Sequence, residues 1–138
     1  MTSDVRGLSI GDLLSRLHSA ILGFVGTLGE TLSINSQVST ADIRELREHI
    51  RGRLQRNEDI TDNQKLLKVL DLFATNKAVL ELTREDADEW LRFIEDIERG
   101  LSSKESSGSL SKDEANEFAS MRRLTSEIKT LIRAERQD

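Results

Sequence analysis

The chain has 138 residues, with 20 Lys and Arg against 25 Asp and Glu, a net charge of −5 and a pI near 5.2. Hydrophobic residues are 36% and charged residues 33%, polar for a compact domain but too apolar for a disordered one. This length predicts one domain, the acidic balance argues against a bulk nucleic-acid binder, and a chain without cysteine has no disulfide scaffold, thiolate nucleophile or Cys-ligated metal.

Proline is absent too, which fits long uninterrupted helices. Ser9 and Asp12 resemble a capping box that opens the first predicted helix. From there Ile10, Leu14, Leu17, Ile21, Phe24 and Leu28 recur in steps of four and three, a heptad seam that Leu13 and Val25 widen. Gly29 is a plausible stop. Residues 30–39 read as a loop, because Ser, Asn and Thr favour local side-chain bonds over a helix ladder.

Ser39 or Thr40 caps a second helix with a narrow stripe of Ile43, Leu46, Ile50 and Leu54. Thr61 and Gln64 form a capping box for a third, in which Leu66, Leu67, Val69, Leu70, Leu72, Phe73 and Ala74 cover nearly the whole circumference. A short helix apolar all round is expected at the centre of a bundle. Residues 78–82 fit either a helical continuation or a packed turn. Thr83 with Asp86 caps a fourth helix, whose Ala87, Trp90, Ile94, Ile97 and Leu101 share one face and whose end is marked by Gly100. Five serines and a glycine between Ser102 and Ser109 read as a flexible linker. Ser111 and Glu114 open a fifth helix with Ala115, Phe118, Met121, Leu124, Ile128, Leu131 and Ile132 on its apolar side.

The expectation is an all-α, single-domain bundle of about five helices around an apolar third. Residues 1–101 form the core, 102–110 the linker, and 111–138 a helix that packs on the bundle or on a partner chain. The amino terminus lacks a secretory leader pattern, and Ala20–Leu28 is far short of the roughly 20 apolar residues that cross a bilayer. A cytoplasmic protein is expected.

Catalytic chemistry finds little support in the sequence. Glu45 and His49 lie one turn apart, but a di-iron bundle uses Glu-x-x-His at a spacing of three on two helices, and His18 has no carboxylate three or four residues away. Glu45-Leu-Arg-Glu48 and Glu85-Asp-Ala-Asp88 resemble the paired acids with which all-α nucleotide pyrophosphatases hold Mg²⁺. Glu85 and Asp88, however, flank a helix start that favours acids, and Glu45 and Glu48 alternate with arginines as on a solvated, ion-paired face. No G-x-S-x-G elbow or phosphate loop is present. No catalytic residue, metal ligand or cofactor is assigned.

Interaction chemistry is better supported. Ser19, Ala20, Gly23, Gly26 and Thr27 form a strip of small residues, which either lets another helix approach closely or merely loosens the end of the first helix. From Thr40 to Asn57 five arginines face three acids, a charge of +2; from Thr83 to Arg99 seven acids face three bases, a charge of −4. Such helices are expected to face each other, within or between chains. The leading expectation is a non-enzymatic protein–protein interaction module (assembly subunit, adaptor or chaperone-like regulator) that forms a homodimer. Its contacts are placed at Leu17, Ile21, Gly23, Phe24, Leu28, Arg44, Arg47 and Arg51. The alternatives are phosphate or nucleic-acid binding through the second helix, and a Mg-dependent pyrophosphatase-like enzyme.

Overall fold

The computed structural model describes residues 7–29, 40–56, 63–108 and 110–137. They form six helices: α1 (Ile10–Gly29), α2 (Thr40–Gln55), α3 (Asn63–Thr75), α4 (Lys77–Glu81), α5 (Ala87–Ser106) and α6 (Lys112–Gln137). None of the described residues belongs to a strand. The extra helix relative to the expected five is α4, a single turn opened by the Asn76 side chain, which accepts from the Ala78 N–H at 3.0 Å.

The five longer helices close into a ring. α1 packs on α2 and α3, α2 on α5, α5 on α6, and α6 back on α3, while α4 bridges α1, α3 and α6. α3 is therefore one stave of the ring and not its axis. Its Leu67 and Leu72 are only half-buried, and Lys68 and Asp71 face water. Aromatic side chains reach across the interior in place of a central helix. Phe73 of α3 meets Trp90 of α5 at 5.2 Å between ring centroids, and Trp90 meets Phe93 edge-on at 5.8 Å. All three are fully buried, and each contributes about 1.5–3 kcal/mol or more through lost apolar exposure.

The predicted stripes line this core. Ile10, Leu13, Leu14, Leu17 and Ile21 of α1, the Ala87–Leu101 face of α5, and Phe118, Met121, Ile128 and Ile132 of α6 are buried. Ala115 is exposed, one turn before the buried run begins. α6 thus docks on its own chain, against α3 and α5.

Local capping follows the sequence at two helix starts. The Ser9 hydroxyl accepts from the Asp12 N–H at 3.1 Å. Ser111 and Glu114 make a reciprocal box: the Glu114 N–H donates to Ser111 Oγ at 3.2 Å, and the Ser111 N–H donates to the Glu114 carboxylate at 3.1 Å. Thr83 and Asp86 do not cap in this way. Buried Thr83 donates its hydroxyl back to the Leu80 carbonyl at 2.6 Å, and Asp86, at the N-cap of α5, makes no side-chain cap bond. Ser39 and Thr61 lie outside the described residues; Gln64 donates across to Glu117 of α6 at 2.6 Å.

The serine-rich segment is shorter as a connection than its composition predicts. α5 passes through Gly100 and continues to Ser106. Leu101 is buried at the core, and Arg122 of α6 donates to Ser102 Oγ at 2.7 Å and, through Nε, to Glu105 at 2.9 Å. These tertiary partners outweigh the weak helix propensity of glycine and serine. The helix ends in a tight turn at Gly108, whose φ of +75° is the left-handed conformation glycine adopts without strain. Among the described residues, no helix is long and apolar enough to cross a membrane.

Candidate interaction surface

The basic and acidic helices do face each other, and they do so within one chain. On α2 the buried positions are Ile43, Arg47, Ile50 and Leu54, in steps of four, three and four. Arg47 therefore occupies a core-facing register, while Leu46, assigned to the stripe from sequence, is half-buried beside it. The spacing that places Arg47 inward is visible in the sequence, but a charged residue between two arginine-bearing turns reads as solvated.

Arg47 is satisfied on every side. Its side chain is 6% exposed, its NH1 donates to Asp86 at 2.7 Å and its Nε to Glu48 at 2.8 Å. Its guanidinium lies 4.7 Å from the centroid of the Trp90 ring, a cation–π contact strengthened by exclusion of water. Trp90 Nε1 donates to the other oxygen of Asp86 at 3.1 Å. One carboxylate thus holds a guanidinium and an indole together. Arg44 Nε is 3.0 Å from Asp86 Oδ2, but it makes no hydrogen bond, so this contact is an ion pair alone.

One turn further, Arg51 reaches Glu89 and Asp96 of α5, each at 3.1 Å, and Glu48 of its own helix at 3.3 Å. Asp96 is buried and also accepts from Arg99 at 2.6 Å. Burial opposes the Arg51 charge, but the hydrogen bond to Asp96 and the charges of Glu48 and Asp96 outweigh it, so its pKa is raised. On the opposite edge of α5, the hydrogen bond to Glu105 raises Arg122 against a smaller opposing effect of burial. A raised guanidinium pKa stabilises the fold fully below the ordinary value, and that contribution fades only as pH climbs through the raised one.

The residues singled out from sequence therefore separate into three groups. Leu17 and Ile21 are fully buried in the chain's own core, so the seam as far as Ile21 packs inside the fold. Arg44, Arg47 and Arg51 have their forks turned onto carboxylates of α2, of α5 and of its N-cap Asp86, while Arg56, just after α2, is exposed. Phe24 is half-buried at the rim of the ring and Gly23 beside it is partly covered. The side chains of Leu28 and Thr27 lie outside the described residues, as does the burial of Gly26, so the distal part of the small-residue strip is not described.

Phe24 and Arg44 meet at a cleft of about 260 Å³, where the distal part of α1, the start of α2 and the α4–α5 turn come together. Phe24, Ala78 and Leu82 supply its apolar lining, and Arg44, Glu81 and Glu85 its charges. Sequence reasoning missed the contribution of α4, since Ala78–Leu82 carries neither a clear period nor a charge pattern. The paired acids do not converge. Glu45 contacts His49 at 3.7 Å, Glu48 serves Arg47 and Arg51, and Glu85 pairs with Arg44 at 3.6 Å. Among the described residues, no group of three or more His, Asp or Glu side chains could share a metal ion. No protein-family model, curated protein or solved structure matches the chain.

Proposed function

We propose that the protein is a non-enzymatic protein–protein interaction module, an assembly subunit or adaptor, which associates with a second copy of itself through the cleft at Phe24. The cleft is the observation that carries this reading: an apolar lining with Arg44 and Glu81 and Glu85 together at one site. A two-fold contact brings the same patch from both copies together, so a patch with both signs of charge is its own complement. The charged seam between α2 and α5 supplies the rigid backing, since Arg44 is held from behind by Asp86.

Light scattering on a sizing column at two protein concentrations tests the reading. The expected result is a mass near twice 15.6 kDa at the higher concentration, reduced to one chain by Phe24→Glu with helix content unchanged. Ile21 is unsuited to this test because a charge there would open the core. A single-chain mass at both concentrations overturns self-association. A partner of different sequence is then sought by pull-down, with the Phe24→Glu variant as the control that must lose it.

A further inference from the structure

The charges around the Phe24 cleft are answered unevenly. Arg44 meets Asp86 at 3.0 Å and Glu85 at 3.6 Å, so those groups are paired within the chain. Arg84 is drawn to Glu135 of α6. Glu81, which lines the cleft, and Lys77, next to the lining residue Ala78, are both exposed. Among the described residues neither of them forms an ion pair.

Their places on α4 run against local rules. Lys77 is the first residue of this helix and Glu81 the last. A cation at the amino end and an anion at the carboxyl end each sit at the pole of the helix dipole that disfavours them. Lys before Glu at i and i+4 is also the weaker order for a pair within one helix. Local conflicts of this kind concentrate at functional sites.

We propose that α4 sets the orientation of self-association: two copies meet with their α4 helices antiparallel, Lys77 of each against Glu81 of the other. The inference rests on the reading of the Phe24 cleft as the surface for a second copy. A two-fold axis between antiparallel helices brings the first residue of one against the last residue of its mate, so one ion pair is made twice. Each side chain then also lies near the favourable pole of the opposite helix. Phe24, Ala78 and Leu82 supply apolar contact beside the two pairs. Exposed pairs add little affinity, but they fix register and reject like-charged arrangements.

Charge exchange tests the arrangement, with mass read by light scattering over a range of protein concentrations and helix content by circular dichroism. The variants are Lys77→Glu, Glu81→Lys and the double exchange that carries both; the two side chains are exposed, so the fold is kept. Each single exchange turns two attractive contacts into two repulsive ones and is expected to weaken self-association by about tenfold. An equimolar mixture of the two single variants, one all-acidic and one all-basic on α4, is expected to recover the wild-type association, and so is the double exchange. Single variants that associate as the wild type does overturn the α4 pairing and leave the Phe24 contact standing. Weakened single variants with no recovery in the mixture or the double exchange also overturn it. A wild-type chain that stays single at every concentration overturns self-association itself, and the pairing with it.

Discussion

Arg47 and Arg92 both face carboxylates of α5, and water separates their roles. Arg92 meets Glu89 at 2.8 Å with 60% of its side chain exposed, so Arg92→Ala is expected to cost about 0–0.5 kcal/mol in urea unfolding. Arg47→Ala removes a buried guanidinium from Asp86 and from the face of Trp90. Asp86 keeps Trp90 Nε1 and the ion pair with Arg44, which places the expected cost at about 2–3 kcal/mol, below that of a fully stranded buried charge. Equal effects of the two substitutions would show that the seam is as wet as the surface. What was legible at this scale was local. The boxes at Ser9 and Ser111 need only residues three positions apart, whereas Thr83 and Asp86 match the same pattern and are drawn away by Leu80, Trp90 and Arg47. The charge segregation of α2 and α5 was readable from sequence, but the inward turn of Arg47 was not, because it depends on the ring and the carboxylate that receive it.

Helices, taken as elements, are bounded here by their neighbours as much as by their own residues. Composition ends the fourth predicted helix at Gly100, yet Arg122 and the burial of Leu101 extend α5 by two turns. Two glycines test how backbone conformation enters this balance. At Gly52, within α2, an added methyl group meets nothing within 4 Å, so Gly52→Ala is expected to stabilise the protein by about 0.5–1 kcal/mol. Gly108 has equal space but a φ of +75°, so Gly108→Ala is expected to destabilise by about 1 kcal/mol. Thermal unfolding of the two variants should shift in opposite directions, and shifts of the same sign would contradict the assigned helix end.

For the molecule as a whole, the docking of α6 is the contact that closes the ring. Phe118 is fully buried by it, and Phe118→Ala is expected to cost about 3–5 kcal/mol. If α6 folds back on its own chain, that cost is the same at low and high protein concentration. A cost that appears only when the protein is concentrated would mean that the helix is exchanged between chains. The all-helical class was readable from period and caps alone. The ring order was not, since it rests on contacts such as α2 with α5 and α3 with α6 that no local pattern encodes. That order also bears on synthesis. α3 lies between α1 and α6 in space but is made with only α1 and α2 before it. Until the 26 residues of α6 have emerged, about 1–5 s at usual elongation rates, one flank of α3 and the aromatic interior stand open to water. The nascent chain thus has its greatest exposure to aggregation and to chaperones just before α6 emerges, and that helix acts as the closing stave.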